Sequence, residues 1–168
     1  MHHFDRYDVL SDNQHGFHKR RSCETQLLTT IQEIASNTAK GKQADVILLD
    51  FAKALDKVPH VRLLHKLDHY GVRGNMKRWI IIPIQQKTTS LHWWCQVKTA
   101  DVLSGVPQGT VLGPLLFLTF INDLPDMIKS SSSKLFADDS AVFKVIENDH
   151  DRQLLQKDLT TLEKWEET

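Results

Sequence analysis

The sequence predicts a mixed α+β domain, and three observations carry that expectation. Near the C-terminal end, Leu135-Phe136-Ala137-Asp138-Asp139-Ser140-Ala141-Val142-Phe143 sets two adjacent aspartates in an apolar, β-branched and aromatic run. That is the pattern of two short strands with an acidic turn between them. In Asp45-Val46-Ile47-Leu48-Leu49-Asp50-Phe51, four consecutive apolar residues make a buried strand that delivers Asp50 to its end. Around these strands, apolar residues return at helical spacing. The clearest case is the last segment, where Leu154, Leu155, Leu159, Leu162 and Trp165 share one helix face.

The elements follow in order. Residues 1–16 are polar and irregular, with a turn at Ser11-Asp12-Asn13, and a basic patch, His18-Lys19-Arg20-Arg21, leads on. Ser22 is placed to cap a helix whose Leu27, Leu28, Ile31, Ile34 and Ala35 fall on one face, with Gly41 beyond its end. After the strand at 45–51, Pro59 opens a helix that turns Leu63, Leu64 and Leu67 inward and stops near Gly71. Asn75 caps the next helix, which Pro83 should break. Residues 88–104 read as β structure, and Ser104-Gly105-Val106-Pro107-Gln108-Gly109 as a loop. An apolar helix then runs from about Gly113 to Asp123, with Pro114 tolerated in its first turn. Ser130–Ser133 is a short polar tract before the acidic hairpin. The final helix is still running where the sequence stops, so an exposed apolar stripe at Leu159, Leu162 and Trp165 is expected.

Composition bounds the class. The chain has 168 residues, formal net charge zero and 40% hydrophobic content, which suits one globular domain or a piece of a larger one. Neutral charge counts against a dedicated nucleic-acid binder, which carries a basic excess, although catalytic acids can offset basic residues. Cys23 and Cys95 have no metal-ligand spacing and read as reduced thiols of an intracellular protein, nuclear or cytoplasmic and not secreted. No apolar run is long enough to span a bilayer.

Two carboxylates side by side repel unless a cation neutralises them. Asp-Asp is also ordinary turn chemistry, so Asp138-Asp139 means little alone. A strand-end Asp50 added to the carboxylate hairpin makes a set that holds two hard divalent cations for phosphoryl chemistry. Each remaining signal has a plain structural counterpart. Gly105 and Gly109 either shape a loop or let backbone approach a ligand, with Gln108 offering a donor and an acceptor to a nucleotide. Lys19, Arg20 and Arg21 are either a solvated turn or a cradle for phosphate oxygens. Trp93-Trp94 either packs in a hairpin or stacks on a base. The apolar stripes at 113–123 and 154–165 are core.

These signals occur in one order: basic turn, strand-end aspartate, glycine-glutamine loop before a helix, acidic hairpin. In that order the chain resembles the reverse transcriptase of non-LTR (LINE-type) retrotransposons. Gln14-His15-Gly16-Phe17-His18-Lys19-Arg20-Arg21-Ser22 resembles the fingers motif of that family, and Leu49-Asp50-Phe51-Ala52-Lys53-Ala54-Leu55-Asp56-Lys57-Val58-Pro59-His60 its first palm motif. Ser104-Gly105-Val106-Pro107-Gln108-Gly109-Thr110-Val111-Leu112-Gly113-Pro114 resembles the template and nucleotide motif, and Phe136-Ala137-Asp138-Asp139 the catalytic hairpin. The resemblance implies a polymerase palm, an antiparallel sheet backed by helices, over about residues 45–168. It implies a fingers remnant over about 1–44, and no thumb. It implies an RNA-directed DNA polymerase acting on an RNA template, a DNA primer and deoxynucleoside triphosphates, with Mg2+ (or Mn2+) as cofactor. Asp50, Asp138 and Asp139 would be the catalytic and metal-binding acids, with the Phe51 carbonyl as a further metal ligand. Gln108, Gly109, Leu55 and Arg21 would lie along the nucleotide.

The chain also departs from the family. Leu55 stands where the family carries an aromatic residue against the sugar 2′-hydroxyl. His18 replaces an arginine, a permanent cation. The stretch from Ile80 to Cys95 matches poorly. Two readings therefore stand: a truncated polymerase domain that works only with further segments, or a catalytically inactive, non-enzymatic relic that keeps the metal carboxylates.

Overall fold

The computed structural model describes residues 4, 6, 7, 9–18, 20–84, 87–92 and 95–167, and for residues 83, 87–92 and 95–101 the backbone alone. The expected stacking or packing of Trp93-Trp94, and the part of Lys19 in the basic patch, lie outside the described residues. The elements run α1 (Cys23–Thr38), β1 (Gln43–Asp50), α2 (His60–His69), α3 (Gly74–Ile84), β2 (Lys87–His92), β3 (Cys95–Asp101), α4 (Leu112–Ile121), α5 (Leu124–Met127), β4 (Ser132–Phe136), β5 (Asp139–Ile146) and α6 (Asp149–Glu167). Helices mix with an antiparallel three-stranded sheet of order β1-β5-β4 and a separate antiparallel pair, β2-β3. The α+β expectation stands. Among the described residues no helix is long and apolar enough to cross a membrane.

The chain forms two compact units, one of residues 1–52 and 121–168, the other of residues 53–120. In the first, β5 is the central strand, paired with β1 from Gln43↔Ile146 to Asp50↔Asp139 and with β4 from Ser132↔Phe143 to Phe136↔Asp139. Side chains alternate faces along a strand. Ile47 and Leu49 of β1 therefore share a face with Val142 and Ser140 of β5, both buried. Val46, Leu48 and Asp50 turn the other way, and Leu48 is 80% exposed.

Helix α6 packs on β5 and α5, burying Leu155, Leu162 and Trp165. The indole Nε1 of Trp165 donates to Asp123 Oδ1 at 3.1 Å, and its ring meets Phe51 edge-on at 6.4 Å. Of the exposed stripe expected at Leu159, Leu162 and Trp165, the last two are buried and Leu159 is half-buried, because strand and helix partners cover that face. Asn148 and Asp151 cap α6 reciprocally, each side chain accepting the other's backbone N–H.

Helix α1 shows the opposite outcome. Ser22 and Thr25 form the capping box that Ser22 promised, but α1 buries no residue, and Leu27, Leu28 and Ile31 are more than half exposed. Its apolar face borders an open groove instead of a core.

The second unit begins past β1. Pro59 precedes α2, which buries Leu63 and Leu67 as expected. Two expectations for α3 fail: the helix starts at Gly74, so Asn75 lies inside it rather than capping it, and it continues through Pro83 to Ile84. Pro83 lacks the N–H that would bond the Trp79 carbonyl, and the helix runs just one residue past it.

Candidate functional site

Apolar alternation in β1 carries Asp50 to the last position of the strand. A two-residue turn, Ala137-Asp138, joins β4 to β5 and makes Asp139 the first residue of β5. The antiparallel register sets Asp50 directly opposite Asp139, and directly opposed residues point to the same face. Two acids remote in sequence are thus cross-strand neighbours, with Asp138 beside them in the turn. All three are exposed. Among the described residues none of the three carboxylates has a hydrogen-bond or ion-pair partner.

Like charges directly opposed on a sheet destabilise it, and among the described residues no lysine or arginine pairs with either acid. Carboxylate oxygens suit hard divalent ions. No three His, Cys, Asp or Glu side chains gather into a metal cage among the described residues. A pair with one neighbour still fits Mg2+, which commonly takes one or two carboxylates and fills its shell with water and substrate phosphates. Beside the acids, on the face of Val46 and Leu48, lies a groove of about 590 Å³. Leu27, Ile31 and Ile34 of α1 form its other wall.

The segment before α1 is attached to this hairpin. Asn13 O accepts from Leu135 N at 2.9 Å, and His15 N donates to Leu135 O at 2.8 Å, so residues 13–15 lie along β4. Buried Gln14 accepts from Gly16 N at 2.7 Å and from Ala137 N at 3.0 Å, both through Oε1. A Cβ on Gly16 would stand 2.5 Å from Ala137 N, so only glycine allows that approach. The Arg21 guanidinium is held by Asp12, with Nη2 2.6 Å from Oδ1, and donates to Gln14 O at 3.0 Å. His15 is buried there. Burial chiefly, then the charges of Arg21, Lys134 and His18, hold its pKa below the ordinary histidine value.

In the second unit the glycine-glutamine loop is tied to the residues following β1. Gly105 N donates to Val58 O and Val106 N to Leu55 O, each at 2.8 Å. His60, buried at the start of α2, meets Gly105 O through Nε2 at 2.8 Å. A carbonyl only accepts, so this nitrogen carries the proton. Gly105 has φ 97, and a Cβ there would press on Asp56 O at 3.1 Å. Its close approach is to the chain's own backbone. Gln108 is exposed and donates to Asp56 Oδ1, Gly109 has φ 71 with open space around it, and Leu55 is half-buried.

The expected acids Asp50 and Asp139 are thus brought together with Asp138 adjacent, and Phe51 follows Asp50 with its ring on Trp165. Arg21 belongs to the first unit; Gln108, Gly109 and Leu55 belong to the second. Sequence reasoning assigned nothing to Gln14 or His60. Both stood inside quoted motifs, but their partners lie far away in sequence, Ala137 for Gln14 and Gly105 for His60, so no local signal marked them.

Residues 1–167 match the family described as reverse transcriptase (RNA-dependent DNA polymerase). The chain is 26% identical over 151 residues to a probable RNA-directed DNA polymerase from transposon X-element of Drosophila melanogaster, covering 85% of the chain and 16% of that protein. It is 28% identical over 128 residues to the corresponding protein of transposon BS of the same species, covering 70% and 13%. It is also 31% identical over 120 residues to the group II intron-encoded protein LtrA of Lactococcus lactis subsp. cremoris, covering 71% and 18%. The matched region is thus less than a fifth of each relative's length.

Proposed function

The chain belongs to the reverse transcriptase family, and from that premise we propose that it supplies the metal-binding carboxylates of an RNA-directed DNA polymerase. The observation that carries this reading is the cross-strand pair Asp50↔Asp139 beside Asp138, on an open sheet face and without partners among the described residues. On this reading residues 45–168 belong to the palm and 1–44 to the fingers. Asp50, Asp138 and Asp139 hold two Mg2+ ions, with the Phe51 carbonyl as a further ligand. When bound, the ions activate a primer 3′-hydroxyl and neutralise the leaving pyrophosphate.

The chain's own residues do the rest. Asp50 and Asp139 project from the ends of paired strands, so the ladder fixes their spacing before any ligand arrives. The backbone ties of Leu55 and Val58 to Val106 and Gly105 fix the loop that presents Gln108 and Gly109 to the incoming deoxynucleotide.

A second reading, a chain that binds metal without turnover, has one specific observation in its favour. Arg21, expected near the triphosphate, has its guanidinium committed to Asp12 and to the Gln14 carbonyl. Primer extension separates the two. The purified chain is given a primed RNA template, Mg2+ and four deoxynucleotides, beside Asp138→Asn. Extension by the wild type alone establishes the polymerase. Metal binding without extension selects the second reading, and neither activity sinks both.

A further inference from the structure

A two-residue hairpin leaves the N–H of its first loop residue outside the ladder, since the flanking pair, here Phe136 and Asp139, takes the last cross-strand bonds. In this chain that residue is Ala137, and it carries φ 54, a left-handed conformation that costs a non-glycine residue energy. Something must hold it. Among the described residues, the hydrogen bond to the Ala137 N–H comes from far away in sequence, from the side-chain Oε1 of Gln14 at 3.0 Å.

Gln14 is itself firmly placed. It is 2% exposed, its segment is bonded to Leu135 on both sides, and Arg21 grips its carbonyl. Its Oε1 spends both lone pairs on backbone donors, Gly16 N and Ala137 N. The amide orientation is fixed by this, because a flipped group would aim Nε2 at two N–H donors. The cost falls on Nε2, which is buried without a partner among the described residues. An uncompensated buried donor marks a place where another demand won.

We propose that Gln14 is a positioning residue: its side-chain oxygen holds Ala137 in the left-handed form that sets Asp138 and Asp139 for metal binding. This rests on the reading of those aspartates as metal ligands. A side chain with no acceptor at residue 14 releases the Ala137 N–H, the turn relaxes toward negative φ, and the carboxylates lose their fixed aim. A methyl group at residue 16 reaches the same result from the other side, by pushing on Ala137 N.

The test uses the full chain, labelled for backbone amide exchange and read first without metal. In the wild type the Ala137 amide should exchange at least about tenfold slower than an unbonded loop amide, the protection that one hydrogen bond gives. Fast exchange there overturns the proposal without any variant. Gln14→Leu should lose that protection while ladder amides such as Val142 keep theirs, and Gln14→Glu, which retains two acceptor oxygens, should preserve it. Mn2+ affinity is then measured by spin resonance, well below the melting temperature. Gln14→Leu and Gly16→Ala should each bind Mn2+ about tenfold more weakly, as loss of a group orienting metal ligands does. The core truncation Leu155→Ala should lower the melting temperature but leave Mn2+ affinity unchanged. Lost Ala137 protection with undiminished Mn2+ affinity would reduce Gln14 to a structural role and overturn the proposal. Absence of Mn2+ binding by the wild type would sink the metal reading, and the metal-free exchange comparison would still decide whether Gln14 holds the turn.

Discussion

Ala137 occupies a conformation that glycine adopts freely, which gives a direct measure of strain in the acidic turn. Ala137→Gly removes a left-handed penalty of about 1–2 kcal/mol and adds about 0.5–1 kcal/mol of unfolded-chain entropy. The expected outcome is a small net stabilisation, on the order of 0.5 kcal/mol, read as a higher urea midpoint; a lower midpoint would show the turn to be unstrained. A few residues away, His15 makes the same region sensitive to acid. Its folded pKa lies below the unfolded value near 6.5, so above that pH it is neutral in both states and its contribution is intact. As the pH falls below 6.5 the unfolded chain takes the proton first, and stability declines until the folded pKa is passed. Wild type should therefore lose more urea resistance between pH 7.5 and 5.5 than His15→Gln, and equal losses would refute the assignment. The meeting of Asp50 with the acidic hairpin was readable from sequence, because a carboxylate ending an apolar run is conspicuous. Gln14 was not, because its role is a side-chain bond to a backbone amide 123 positions away, and no local pattern encodes such a contact.

At the level of elements, two helices with similar apolar stripes meet different fates. Periodicity identified both α1 and α6 and the apolar stripe of each, and Ser22 fixed where α1 begins. Periodicity could not tell which stripe would find a partner, since that depends on which strand lies opposite. Leu155 and Leu162 are buried, whereas Leu27 and Ile31 border an open groove and Leu28 is exposed. Truncation should expose the difference. Leu155→Ala should cost about 2–5 kcal/mol, the range for a buried leucine. Ile31→Ser, at an exposed position, should change stability by less than about 0.5 kcal/mol. Denaturant titration of the two variants decides, and equal costs would mean that α1 is packed after all. At Pro83 the helix runs one residue further, to Ile84, so the proline sits within its last turn rather than after it.

Across the whole molecule, net charge is zero, yet the sheet opposes Asp50 to Asp139. Mg2+ or Mn2+ should raise the melting temperature by mass action, and the double change Asp138→Asn with Asp139→Asn should stabilise the metal-free chain while abolishing that response. The same shift in both proteins would count against the site. The pairing of β1 with β5 also has a consequence in time. The entire second unit, residues 53–120, is inserted between β1 and its partner strand, so the acids meet only by closing a long loop, which is slow as well as entropically costly. During synthesis at roughly 5–20 residues per second, β1 waits on the order of 5–20 s for β5 to be made. Through that interval Val46, Ile47, Leu48 and Leu49 form an unpaired apolar strand, open to any passing edge. The geometry that assembles the site from distant strands thus makes the newborn chain dependent on protection until its last hairpin emerges.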